Sequence, residues 1–214
     1  TSWDIPNVEF VPMISTPVDP PDVPQYNEVA PSRYLAGANE PSYCPVDYIE
    51  TWHTIVTRFS DRLLVSPGVG LSGGKIYKPC TRPDGSSTDV FTGAMWISDL
   101  RTFYMQRYGD PHFAVLSFHC YPPPETSCNA LHDTQQFIDL ANEWNIPEVW
   151  VTEWDSGKWG SQSVERERQW IDYWKSLPRI TRIAYYQNTD PLDGSYLIDL
   201  NGNLTIYGTA YKMH

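Results

Sequence analysis

The sequence predicts an α/β fold closed as a (β/α) barrel, and three observations carry that expectation. Short apolar runs recur along the chain after a proline-rich start. Amphipathic stretches with a helical period lie between several of these runs. The βα units are of similar length and lack a Gly-rich phosphate loop, which favours a barrel over a nucleotide-binding sheet.

The runs are 8–14 (VEFVPMI), 33–38 (RYLAGA), 62–65 (RLLV), 113–118 (FAVLSF), 148–151 (EVWV) and 182–186 (RIAYY). Short, nearly continuous apolar runs suit strands buried on both faces, and hence a parallel sheet. Residues 16–24 (TPVDPPDVP) read as an extended loop, because proline cannot continue a helix or a central strand. Helices are predicted over four stretches. Residues 46–60 carry Ile49, Trp52, Ile55, Val56 and Phe59 at helical spacing. Residues 96–104 carry Trp96, Ile97, Leu100 and Phe103, and 133–144 carry Phe137, Leu140, Ala141 and Trp144. Asp133 or Thr134 is expected to cap the third helix. The fourth, 162–177, is polar at first and then buries Trp170, Ile171 and Trp174.

Composition narrows the class. The chain has 214 residues, 41% of them apolar and 14% aromatic, enough for one core, and a single domain over 1–214 is expected. A formal charge of −11 makes nucleic acid a poor partner, since phosphate binding needs a basic stripe. No apolar run is long enough to span a bilayer. The opening TSWDIPNVEF has neither the basic nor the apolar region of a signal peptide, so a secreted form would be mature here. The four cysteines, Cys44, Cys80, Cys120 and Cys128, fit no zinc spacing. Cys44–Cys80 and Cys120–Cys128 are the favoured pairs, each tying neighbouring loops, with four free buried thiols as the alternative. Disulfides, the Trp- and Tyr-rich composition and the sequon at Asn203 favour secretion.

Chemistry in a barrel gathers where strands end. The ends here are Asn39-Glu40-Pro41, His119-Cys120-Tyr121, Thr152-Glu153-Trp154-Asp155 and Tyr185-Tyr186-Gln187-Asn188. A carboxylate directly after a buried strand costs desolvation energy unless it is used or paired. Glu40 and Glu153 end different strands and so suit paired carboxylates across one pocket. Two carboxyl groups are the minimal kit for cleaving a glycosidic bond, one protonated to donate and one ionised to attack or to activate water. Asn39 could donate to a sugar hydroxyl beside the reaction centre. Trp154, Trp159, Trp52 and Tyr121 are candidate faces for stacking a pyranose ring. Taken singly, each motif has a plainer reading: a turn before a helix for Asn-Glu-Pro, an arginine partner for Glu153, a structural histidine for His119. Their joint fall at strand ends is what favours a sugar site.

At these residues the chain resembles clan A glycoside hydrolases, and most of all family 128, a family of β-1,3-glucanases. The segments that carry the resemblance are 8–14, 34–42 (YLAGANEPS), 62–70 (RLLVSPGVG), 113–123 (FAVLSFHCYPP), 149–157 (VWVTEWDSG), 182–188 (RIAYYQN) and 195–211. The resemblance implies a retaining endo-β-1,3-glucanase with Glu40 as general acid/base and Glu153 as nucleophile. It also implies that Asn39 hydrogen-bonds the sugar, and that His119 and Tyr121 orient the nucleophile and line the central subsite. Trp154 and Tyr186 complete the expected substrate-binding set. No metal or cofactor is implied, and the partner is β-1,3-glucan, bound by a secreted monomer. Retention requires carboxyl groups about 5–5.5 Å apart.

The resemblance also exposes departures. Cys120, Tyr185-Tyr186 and Ser42 stand where the family usually has Trp, a Trp-Phe pair and Asp. Asn-Glu-Pro should end the fourth strand of an eight-stranded TIM-type barrel. The run at 8–14 would then be the third strand, so the first two βα units are expected to be missing, leaving about six strands. Two rival functions follow: another clan A β-glycanase, or a non-catalytic or weakly active β-glucan-binding protein on a reduced barrel.

Overall fold

The structure is a computed structural model that describes residues 9–14, 23–24, 29–70, 74–121, 130–154, 164–186, 197, 201, 203–206 and 208–209. The chain divides into two units, Thr1–Val69 with Gly73–Ser117 and Gly70–Ser72 with Phe118–His214.

In the first unit, β1 (Tyr34–Ala36) is followed by a 3-10 turn (Pro45–Tyr48), α1 (Ile49–Arg58) and β2 (Leu63–Val65). After the two-residue β3 (Val69–Gly70) comes a hairpin of β4 (Gly74–Thr81) and β5 (Ser87–Phe91). Then α2 (Gly93–Tyr108) leads into β6 (Phe113–Cys120), which passes from the first unit into the second. β1 pairs in parallel with β2, placing Leu35 beside Leu64, and β2 pairs in parallel with β6, placing Val65 beside Val115. Each of these four side chains is buried, as expected of strands covered on both faces. The apolar stripe of α1 supplies Trp52, Ile55 and Phe59 to the same core, and α2 supplies Ile97 and Leu100. The Trp52 indole N–H, buried with its ring, donates to the Pro111 carbonyl at 2.9 Å. Ser117 and Ser66 satisfy each other across β6 and the end of β2, with Ser117 Oγ donating to the Ser66 carbonyl at 2.8 Å.

In the second unit, α3 (Ala130–Glu143) is followed by β7 (Glu148–Trp154), α4 (Val164–Ser176) and β8 (Ile180–Tyr185). β7 and β8 are parallel, with Val151 beside Ile183 and Trp154 beside Tyr185. Thr152 Oγ1 ties β7 to β6 by donating to the Phe118 carbonyl at 3.2 Å. The core here is Phe118, Phe137, Ala141, Val149, Val151, Ile171 and Trp174.

The alternation of strand and helix is the expected one, with several corrections. The run at 8–14 forms no extended strand among the described residues. Met13 makes a single parallel bridge to Ala36, with Ile14 N–H donating to the Ala36 carbonyl at 3.1 Å and Ala36 N–H to the Pro12 carbonyl at 2.9 Å. Pro12 has no N–H to continue the ladder, which is the local reason. The hairpin β4–β5 was not anticipated, although Asp84-Gly85 at its tip is a turn signature and Gly85 has φ +82°. Asp133 and Thr134 lie inside α3 rather than capping it. Thr134 is fully buried, and its hydroxyl accepts the Trp174 indole N–H at 3.1 Å. β8 buries Ile180 but exposes Thr181 and Ala184, so it is not an apolar strand on both faces. The disulfide Cys44–Cys80 forms as favoured, with 5.5 Å between Cα atoms. Cys120 is disulfide-bonded as well, and Cys128 lies outside the described residues.

Candidate active site

Asn39 and Glu40 belong to the first unit, and His119, Tyr121, Glu153, Trp154 and Tyr186 to the second.

Just past β1 the chain is held from two sides. Asn39 makes a parallel bridge to Gly68, the Glu40 N–H donates to the Gly68 carbonyl at 2.8 Å, and the Gly68 N–H donates to the Ala38 carbonyl at 2.9 Å. The Ala38 N–H is taken by the Tyr48 hydroxyl at 3.1 Å. These bonds extend the β1–β2 pairing past the last regular residue, so Glu40 leaves the strand end in one direction. Glu40 has φ 39°, in the left-handed region that a residue with a Cβ occupies at a cost. Such a conformation persists where its surroundings over-determine it, and it is found disproportionately at functional sites. Glu40 is exposed, while the Asn39 side-chain oxygen is buried with no hydrogen-bond partner among the described residues. A buried acceptor of that kind gains from any donor brought to it, a sugar hydroxyl included.

In the second unit, Glu153 on β7 meets two residues from the end of β6. His119 lies near the end of β6 and Tyr121 directly after it, and both reach the same carboxylate. The Tyr121 hydroxyl donates to Glu153 Oε2 at 2.5 Å, and His119 Nδ1 lies 3.5 Å from the same oxygen. The first is a short, charge-assisted hydrogen bond. Both contacts fall on Oε2. The Glu153 side chain retains 17% of its exposure, whereas that of His119 retains 1%. Glu153 is therefore reachable, while His119 is closed off from solvent. Tyr186 sets its ring edge-on to Tyr121, with centroids 5.6 Å apart, and its N–H is anchored on the Trp154 carbonyl at 2.8 Å.

Trp154 requires a correction. It was expected to present a face to the sugar, but it is 0% exposed. Its ring lies edge-on to Trp174 at 5.4 Å and to Tyr185 at 4.9 Å. Alternation along β7 explains this: neighbours on a strand face opposite ways, so the strand that aims Glu153 outward turns Trp154 into the helix layer. Trp52 is core for a similar reason, on the buried stripe of α1. Trp159 lies outside the described residues. Tyr48 and Gly68, which hold the Asn39-Glu40 backbone, were not singled out beforehand. The signal for Gly68 was present in Ser66-Pro67-Gly68 directly after β2.

A carboxylate held by a phenol and an imidazole at a strand end, on an α/β chain with parallel strands, is the equipment of a sugar-cleaving barrel protein. The sequence model of the glycosyl hydrolase catalytic core matches residues 1–211, and the chain belongs to that family. No curated protein resembles it closely enough to count as a match. Solved structures of glycoside hydrolase family 128 do resemble it. A subgroup III curdlan-specific exo-β-1,3-glucanase from Blastomyces gilchristii, in complex with glucose, is 20% identical with a TM-score of 0.68, over 97% of this chain and 82% of that one. A mutant subgroup I endo-β-1,3-glucanase from Amycolatopsis mediterranei, in complex with laminaripentaose, is 15% identical with a TM-score of 0.66, over 95% and 81%. A subgroup VII oligosaccharide-binding protein from Trichoderma gamsii is 19% identical with a TM-score of 0.52, over 85% and 67%. These likenesses establish the fold as α/β, a partial barrel of the TIM type.

Proposed function

We propose that this chain is a secreted, monomeric β-1,3-glucanase that cleaves internal linkages with retention, with Glu153 as nucleophile and Glu40 as general acid/base. The observation that carries the reading is the Tyr121–Glu153–His119 arrangement. The Tyr121 hydroxyl donating to Oε2, with the His119 imidazole beside the same oxygen, stabilises the carboxylate and orients the group for attack on an anomeric carbon. In the first step, the carboxylate attacks that carbon while the Glu40 carboxyl gives its proton to the departing glycosidic oxygen. In the second, Glu40 takes a proton from water, which attacks the same carbon and releases Glu153. Donors that stabilise the carboxylate also make it a better leaving group in that second step. Asn39 lies next to Glu40 with an unsatisfied buried acceptor, ready for a sugar hydroxyl. Tyr121 and Tyr186 line the sugar at the Glu153 side. The chemistry needs no metal or cofactor. Secretion is supported by the Cys44–Cys80 disulfide and by the exposure of Asn203 in its sequon.

The test is reducing-sugar release from laminarin by the native chain, Glu40→Gln and Glu153→Gln, with the product anomer followed by NMR. The expected result is release of the β-anomer by the native chain and a loss of at least about 10³-fold in each variant. Equal rates in all three would remove the assignment. A second reading, a glucan-binding protein without turnover, is favoured by one observation: an oligosaccharide-binding protein is among the solved structures of similar fold. Tight laminari-oligosaccharide binding by calorimetry, with no cleavage, selects it.

A further inference from the structure

The loop that carries Glu40 is fastened to more than the barrel strands. Four residues after Glu40, Cys44 is joined by a disulfide to Cys80 on β4. Between them in the chain, Tyr43 gives its carbonyl to the Trp96 indole N–H of α2 at 2.9 Å and packs its ring against Tyr48 and Trp96 at 5.7 and 6.3 Å. The hairpin that carries Cys80 is in turn fastened to α2. Arg82 makes a two-pronged ion pair with Asp99, Nε to Oδ2 at 2.8 Å and Nη2 to Oδ1 at 3.0 Å. The Asp99 side chain is 5% exposed and that of Arg82 25%, so the carboxylate is shielded from water while the guanidinium is partly open, and the two-pronged geometry fixes their mutual orientation better than a single surface contact would. A second bond, from the Arg82 N–H to the Ser86 carbonyl at 2.8 Å, closes the hairpin turn at the same residue. The path is continuous: Asp99 fixes Arg82, Arg82 fixes the end of β4, and Cys80 fixes the loop that holds Glu40 at its unfavourable φ of 39°.

We propose that the Arg82–Asp99 pair and the Cys44–Cys80 disulfide form a latch that sets the position of Glu40, making Arg82, Asp99 and the two cysteines positioning residues for proton donation to the leaving group. The proposal rests on the assignment of Glu40 as acid/base. A residue that only stabilises the fold affects every substrate alike. In kcat/KM, which reads the first step alone, a latch on the acid affects only substrates whose leaving group needs a proton. A displacement of about 1 Å at a reacting group can cost about 10²-fold in rate.

The experiment compares kcat/KM on laminarin-derived oligosaccharides with kcat/KM on dinitrophenyl β-laminaribioside, whose leaving group departs without protonation. The proteins are the native chain, Arg82→Gln, Arg82→Lys, Asp99→Asn and the double variant Cys44→Ser with Cys80→Ser, with thermal melting measured for each. Expected is a fall of about 10- to 100-fold on the oligosaccharides with less than about threefold on the aryl substrate. Partial recovery on the oligosaccharides is expected in Arg82→Lys, and kcat on the aryl substrate, which falls in the variants because the second step needs Glu40 as base, should be raised by azide, which needs no general base. If the double cysteine variant does not fold, the Arg82 and Asp99 variants decide the matter. An equal fall on both substrates, or no fall on either, overturns the latch. A native chain that cleaves neither substrate instead overturns the assignment of Glu40 on which the latch depends.

Discussion

At Glu153, a phenol hydroxyl and an imidazole nitrogen converge on one carboxylate oxygen. The phenol at 2.5 Å makes the shorter contact and the imidazole at 3.5 Å the looser one. Removing the hydroxyl alone therefore takes away the closer hold on the Glu153 carboxylate, the nucleophile proposed above, without opening a cavity. Tyr121→Phe should lower kcat on laminari-oligosaccharides by about 10- to 100-fold, with KM changed by less than about threefold, as steady-state kinetics would read. A large rise in KM at constant kcat would instead make Tyr121 a simple sugar contact. Trp154 is next in sequence but belongs to different physics. Its ring is fully buried between Trp174 and Tyr185, so Trp154→Ala should cost about 3–5 kcal/mol of stability in urea denaturation. A stable Trp154→Ala variant with weakened glucan binding would restore the stacking role that burial argues against. Both residues were legible as aromatic and strand-terminal. Which of them turns toward Glu153 and which into the core depends on the phase of the strand, and the Thr-Glu-Trp motif alone does not reveal it.

At the scale of elements, the approach to Glu40 depends on close packing between the end of β1 and α1. A Cβ added at Gly37 would meet the Trp52 ring at 2.9 Å and the Pro67 backbone nitrogen at 3.0 Å. Trp52 is fully buried, and Pro67 belongs to the turn that pairs with Ala38 and Glu40 through Gly68, so neither neighbour can give way cheaply. Gly37→Ala should then cost about 1–3 kcal/mol, measured by thermal or urea unfolding. An unchanged midpoint would show that the Trp52 ring moves freely. The helices were legible because their apolar spacing matches their buried faces. In α1, Trp52, Ile55 and Phe59 are all core. The hairpin was harder, because β4 contains Lys75, Lys78 and Pro79 and shows no apolar alternation. What holds it is a disulfide and the Arg82–Asp99 pair, and neither leaves a periodic trace in the sequence.

Over the molecule as a whole, stability has an alkaline limit set by buried phenols. Burial pushes the Tyr48 hydroxyl above its ordinary value, and Tyr43 is raised for the same reason and further by its proximity to Tyr48. The unfolded chain ionises tyrosine near pH 10, while the folded chain keeps these protons. The stabilisation is thus complete below about pH 10 and is lost as the pH rises beyond it. Urea midpoints taken between about pH 7 and 11 should hold steady up to about 9.5 and then fall, with a shallower fall in Tyr43→Phe. A flat profile through pH 11 would contradict this. The sequence by itself determined the α/β class, the four helices, the core strands and the strand-end places of Asn39, Glu40, His119, Tyr121 and Glu153, because apolar period and turn chemistry are local properties of the chain; it favoured the Cys44–Cys80 pairing without fixing it. Only the tertiary structure decided that the run at 8–14 contributes a single bridge, that Trp154 is core, that Tyr121 and His119 share one oxygen of Glu153, and that a hairpin holds the Glu40 loop. These outcomes depend on which face of a strand meets which neighbour, and that is settled by packing between residues far apart in sequence.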